Sequence, residues 1–106
     1  MKNKLNDPIL EIFLQQMHQK LGSHLKQIIL FGSRARGDFD RDSDYDCLAV
    51  VDEVSPKVDE TIAEIMGQFL NEHDMVFSIF PITQEMYQQD VWEPLLINVR
   101  KEGVVL

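Results

Sequence analysis

The chain has 106 residues, 44% hydrophobic and 26% charged, a composition that supports one folded domain over residues 1–106 and excludes a disordered chain or a disulfide-dependent miniprotein. Ten Lys and Arg against eighteen Asp and Glu leave a net charge of −8, so the long-range field repels polyanions and direct nucleic-acid binding is not expected. The one cysteine, Cys47, excludes an internal disulfide and a cysteine-rich zinc site; with no apolar run long enough to span a membrane and no signal core after Met1-Lys2-Asn3-Lys4, a cytoplasmic protein is the expectation.

Asp7 and Pro8 predict a helix start, and Ile9, Leu10, Phe13, Leu14, Met17 and Leu21 recur at helical spacing up to Gly22. Lys26 to Phe31 contains the unbroken apolar run Ile28-Ile29-Leu30-Phe31, the pattern of a short strand buried on both faces, and ends at Gly32-Ser33. A polar connector from Gly32 to Ser43 leads into a second interior strand, Asp44 to Val51. Val58, Ile62, Ile65, Met66, Phe69 and Leu70 form the stripe of a second amphipathic helix over Lys57 to Leu70. Met75 to Ile82 reads as a third strand, with Pro81 near its end. Thr83 then caps a short helix to about Gln89, Pro94 opens another ending near Glu102, and Gly103 leads into the apolar tail Val104-Val105-Leu106. This order predicts a small α/β (α+β) fold with a three-stranded mixed sheet packed by helices.

Carboxylates are tolerated in an interior strand only before its apolar run begins, which places Asp44 and Asp46 at the mouth of the second strand and, two residues apart, on one face. If the first two strands pair antiparallel, Gly32-Ser33 comes to lie beside them. Glycine permits close backbone approach, a serine hydroxyl and backbone N–H groups can hold a phosphate, and two carboxylates can hold Mg²⁺, a cation that prefers such hard oxygens. Taken singly, Gly-Ser after a strand is a turn and Asp-x-Asp a solvated strand end; the functional reading rests on their conjunction.

The segment Leu30-Phe31-Gly32-Ser33-Arg34-Ala35-Arg36-Gly37-Asp38, closing with Ser43-Asp44-Tyr45-Asp46-Cys47-Leu48, resembles the signature of the DNA polymerase β nucleotidyltransferase superfamily, in its minimal branch (MNT). The tail from Pro94 to Leu106 is similar to the way such proteins finish. The resemblance implies a small nucleotidyltransferase fold and a Mg²⁺-dependent transfer of a nucleotide, AMP from ATP in the first instance, to a hydroxyl. It also implies a hetero-oligomer with a HEPN-type helical toxin, a ribonuclease, whose tyrosine accepts the nucleotide and for which the chain is the antitoxin. On this resemblance Asp44 and Asp46 are catalytic and bridge the metal, with two ions about 4 Å apart. Gly32 and Ser33 grip the β- and γ-phosphates, and Arg34 adds a nucleotide contact. Arg34 and Arg36 suit either phosphate neutralisation or surface ion pairs, and Asp38, Asp40 and Asp42 read as a solvated acidic loop.

The superfamily usually adds a third carboxylate on the next strand, and Ser78 stands where it is expected. Asp74 lies four residues earlier on the same predicted face, roughly 13 Å away along an extended strand. This departure keeps a second function open, a weak or inactive transferase-fold antitoxin that inhibits its partner by binding. His18, His24 and His73 lack metal-ligand spacing and read as surface residues, Cys47 as core, and Trp92, Tyr87 and Met86 either as a partner patch or as ordinary helix packing.

Overall fold

A computed structural model describes residues 7–89 and 94–106. Helix α1, Pro8–Leu21, begins as its sequence dictates: Asp7 Oδ1 accepts from the backbone N–H of Ile9 at 2.9 Å and of Leu10 at 3.3 Å, and Pro8 occupies the first helical position. Gly22, at φ 57°, ends it, and a short 3-10 turn leads to β1, Leu25–Phe31. The connector is not wholly irregular, because Ser33–Arg36 form one helical turn, α2, closed by Gly37 in the left-handed conformation. Next come β2, Tyr45–Val51, and α3, Pro56–His73, which Ser55 caps through Val58 N–H. After them lie β3, Phe77–Thr83, and α4, Gln84–Gln88, capped by Thr83. The last elements are α5, Pro94–Glu102, and β4, Val104–Val105.

The sheet has the order β3-β2-β1-β4. Strands β1 and β2 are antiparallel, which meets the condition for bringing Gly32-Ser33 beside the Asp pair, and β2 and β3 are parallel, joined through α3. The α+β class agrees with the sequence, but the sheet has four strands rather than three. The apolar tail turns back at Gly103 and pairs antiparallel with β1, Ile29 opposite Val105 and Leu30 opposite Val104. Two residues carry too little alternation to announce a strand; edge pairing with β1 makes it one.

The period-2 alternation of β2 sorts the core into two layers. Tyr45, Cys47, Ala49 and Val51 face α1 and α3 together with Ile28 and Leu30, and the helices contribute Phe13, Met17, Ile65 and Phe69. Here aromatic rings pile up: Phe77 stacks on Phe13 at 4.2 Å and on Tyr45 at 4.5 Å between centroids, with the edge of Phe69 at 5.0 Å. Leu48 and Val50 face the other way, with Ile29, Phe31 and Ile82, and are covered by Leu96 and Val99 of α5. Asp46 shares the alternation of Leu48 and Val50 and therefore belongs to this second face.

Candidate active site

Phe31, the last residue of β1, pairs with Asp46 of β2. The turn that follows, Gly32-Ser33, therefore lies against the Asp46 carboxylate. Gly32 has φ 80° and ψ −162°, and a Cβ built on it would meet Asp46 Oδ2 at 2.5 Å. Both the dihedrals and the space require glycine there. The Gly32 carbonyl accepts from Ala35 and Arg36 N–H and so starts α2, whose first residue is Ser33. Asp44, exposed just before β2, is close enough for its charge to act on Asp46. Burial first, and then the negative charge of Asp44, raise the Asp46 carboxyl above its ordinary pKa, with Arg36 opposing and Glu102 adding to the rise. A partly buried carboxylate repelled by an exposed one beside it is relieved by a shared cation.

Arg34 is placed differently from a solvent-facing phosphate ligand. Its side chain is buried, with its guanidinium 4.2 Å from the Tyr45 ring centroid and 4.5 Å from that of Phe39. Its Nε and Nη2 donate to the Ser43 carbonyl at 3.2 and 3.1 Å, and Nη2 donates to Arg41 O at 3.3 Å. The connector is thus wrapped around Arg34, which holds the segment that delivers Asp44. Asp40 builds the loop as well: its Oδ1 accepts from Asp42 N–H and its backbone N–H donates to Ser43 Oγ. Tyr45 carries the order onward, its hydroxyl donating to Asp7 Oδ2 at 2.7 Å, which links the site to the start of α1.

One participant was not legible as such. Glu102, 70 residues from Gly32, accepts the Gly32 N–H on Oε2 at 2.8 Å. The same carboxylate receives Arg36 Nη1 at 3.1 and 3.2 Å, while Arg36 Nε reaches Asp38 at 3.1 Å. Its one sequence signal is its place: a carboxylate in the last turn of a helix lies at the negative end of the dipole and is unfavourable there unless a donor meets it.

On the other side of Asp46, in the parallel β2–β3 register, stands Ser78. Asp74 does not share that face, since β3 begins at Phe77 and Asp74 is the C-cap of α3, at φ 55° and ψ 36°. The extended-strand offset does not apply to a residue in the left-handed region. Further along the same face, Leu48, Phe80, Ile82, Met86 and Leu96 line an apolar cavity of about 230 Å³. Among the described residues no group of three or more His, Cys, Asp and Glu side chains is arranged to hold a metal. Cys47 is fully buried on the opposite face, its thiol pushed up by that burial. His18 and His24 are exposed, and His24 pairs with Asp52 at 3.0 Å. Met86 is exposed and Tyr87 lies under Arg100, whereas Trp92 falls outside the described residues.

Known proteins share the fold. Among solved structures the fold is similar to a toxin–antitoxin complex with AMP-PNP (TM-score 0.64, 16% identity, covering 90% of this chain and 69% of that one). It is also similar to a mutant MntA–HpeT toxin–antitoxin complex (TM-score 0.67, 15% identity, 90% and 69% covered). A third is a tri-AMPylated Shewanella oneidensis HEPN toxin in complex with MNT antitoxin (TM-score 0.60, 14% identity, 90% and 66% covered). Two candidate protein adenylyltransferases of Methanocaldococcus jannaschii are each 32% identical to the chain. One matches over 95 residues, 89% of this chain and 90% of its own; the other over 97 residues, 91% and 93%. Residues 10–101 match the nucleotidyltransferase domain, and with that span running from α1 to the end of α5 the chain belongs to the nucleotidyltransferase domain family.

Proposed function

We propose that the chain is a Mg²⁺-dependent protein adenylyltransferase that moves AMP from ATP to a tyrosine hydroxyl of a HEPN-type toxin and thereby acts as its antitoxin. The observation that carries this reading is the approach of the Gly32-Ser33 turn to Asp46, so close that no Cβ fits between them. Such contact is expected where a phosphate chain and a carboxylate-bound cation must meet. The candidate adenylyltransferase relatives and the toxin–antitoxin structural neighbours support the choice of acceptor.

Asp44 and Asp46 would hold Mg²⁺, a cation that binds through one or two carboxylates and completes its shell with substrate phosphates and water. When bound, it supplies positive charge to the triphosphate and acidifies the attacking hydroxyl. Ser33 Oγ and the backbone N–H groups of the turn hold the β- and γ-phosphates, so that charge developing on the leaving group meets fixed donors. Arg34 orders the connector, and Arg36, exposed beside the turn, is the arginine within reach of a phosphate. The acceptor oxygen bonds to the α-phosphorus, the bond from that phosphorus to the bridging oxygen breaks, pyrophosphate leaves, and the hydroxyl proton passes to water.

A second reading, an antitoxin that inhibits by contact alone, is favoured by Ser78 standing beside Asp46 where a third carboxylate would complete the set. Incubation with α-labelled ATP and Mg²⁺, with and without a HEPN-type partner, decides between them. Label on a partner tyrosine, lost at least about 100-fold in Asp44→Asn and Asp46→Asn, establishes transfer. Protection that survives both substitutions with no label establishes inhibition by contact.

A further inference from the structure

Glu102 holds the two groups that lie ready for an anion at the mouth of the site. Its Oε2 takes the Gly32 N–H at 2.8 Å, and both its oxygens take Arg36 Nη1. The Glu102 side chain is only 20% exposed, against 46% for Arg36, so the carboxylate is tucked under the arginine and against the turn. It comes from the end of α5, where the helix dipole opposes negative charge. The placement is therefore sustained by the donors it meets. It also adds negative charge to a neighbourhood that already holds Asp44 and Asp46.

Resting on the transferase reading above, we propose that Glu102 is a resident substitute for a nucleotide phosphate: its carboxylate occupies the Gly32 N–H and Arg36, and a nucleoside triphosphate must displace it to bind. Gly32 N–H and Arg36 pass from the carboxylate to a phosphate oxygen, and Glu102 swings out toward solvent on its own side-chain torsions. The apparent affinity for nucleotide is then the intrinsic affinity reduced by the fraction of molecules whose Glu102 has withdrawn. An anion that meets few other donors cannot drive that exchange, whereas a triphosphate that also engages Ser33 and carboxylate-bound Mg²⁺ can. Glu102 thus sets a threshold for occupancy rather than holding substrate.

The test is calorimetric titration of the full chain with AMP-PNP and Mg²⁺, comparing wild type with Glu102→Gln, whose amide oxygen still accepts the Gly32 N–H while the negative charge is gone. The expected result is an apparent Kd about 3- to 10-fold lower in the variant. The second measurement needs no variant: the carboxyl ¹³C resonance of Glu102 and the Gly32 amide resonance both shift when AMP-PNP is added to wild type. A variant that binds AMP-PNP equally or more weakly, or a Glu102 resonance that stays still while Gly32 moves, overturns the proposal and leaves the transferase reading intact. Absence of AMP-PNP binding to both proteins overturns the transferase reading and the proposal with it. If Glu102→Gln melts below the assay temperature, the resonance measurement on wild type decides alone.

Discussion

A single methyl group on Gly32 would lie 2.5 Å from Oδ2 of Asp46, so the turn after β1 and the carboxylate on β2 exclude each other's enlargement. Gly32→Ala is expected to fail twice. Its dihedrals, φ 80° and ψ −162°, are in a region nearly reserved for glycine and cost about 1–3 kcal/mol for another residue. The displaced Asp46 then weakens binding of AMP-PNP with Mg²⁺. Thermal melts and titration of the same sample check both effects, and normal values for both would mean that the turn yields without disturbing the site.

Arg34 is expected to behave as a brace. Removing its guanidinium in Arg34→Ala strips two ring contacts and the hydrogen bonds to Ser43 and Arg41, a loss of about 3 kcal/mol by the usual strengths of charged hydrogen bonds and cation–π pairs. Arg34→Lys keeps the charge but not the planar fork, and should recover little of that stability. Proteolytic cleavage within residues 38–43, measured against global unfolding, reports whether the connector has come loose. A lysine variant with wild-type stability would show that charge alone is what the position needs.

Installing the missing carboxylate is the third case. In Ser78→Asp a new negative charge stands opposite Asp46 across the β2–β3 pairing. Because Asp46 is already raised by burial and by Asp44, the variant should lose about 1 kcal/mol or more without divalent cation, through like-charge repulsion. Mg²⁺ should restore that loss with a larger stabilisation than it gives wild type, since a ligand that binds only the folded state stabilises it in proportion to its occupancy. Melting temperatures with and without Mg²⁺ measure the difference; equal shifts in the two proteins would place residue 78 outside the metal's reach.

Cys47 supplies a pH prediction. Burial keeps its thiol protonated, with the neighbouring charge of Asp46 acting in the same sense. Its folded pKa therefore lies above the unfolded value, so across the ordinary thiol range near about 8.5 the native chain exposes no thiolate. Alkylation by iodoacetamide should stay slow and nearly independent of pH in that range, and become fast only when denaturant unfolds the chain. Rapid, pH-dependent labelling of the native protein would show that β2 opens locally.

The sequence was most informative where one requirement dominated. Asp7 and Pro8 start α1 because the first helical N–H groups need a side-chain acceptor, and the unbroken apolar run Ile28 to Phe31 suits the interior strand it forms. The meeting of Gly32 with Asp46 followed from the antiparallel pairing of β1 and β2. What escaped was decided by distant partners. An arginine beside a phosphate-like turn suggests a ligand contact, yet Arg34 is claimed by Tyr45 and Phe39, and ring partners on a later strand and a loop leave no periodic trace. Glu102 could be seen as misplaced at a helix end, but its acceptor role toward Gly32 exists only because β4 pairs with β1 and returns α5 to the site. Asp74 falls out of line with Ser78 because a helix cap in the left-handed region breaks the alternation that an extended strand would have kept.

The two faces of the sheet are closed by unequal means. On one side α1 and α3 clamp the column of Phe13, Phe77 and Tyr45; on the other, α5 leans on β1 through Leu96 and Val99 and is tied down by the two residues of β4. Amide exchange should accordingly fall into two tiers, the strand centres and the inner turns of α1 and α3 opening only with the whole molecule, α5 and β4 opening below that limit. Asp44 and Asp46, the proposed metal-binding carboxylates, stand on the upper tier's scaffold and Glu102 on the lower, so the rim of the site can be remodelled, by exchange or by evolution, without melting the frame that fixes Asp46.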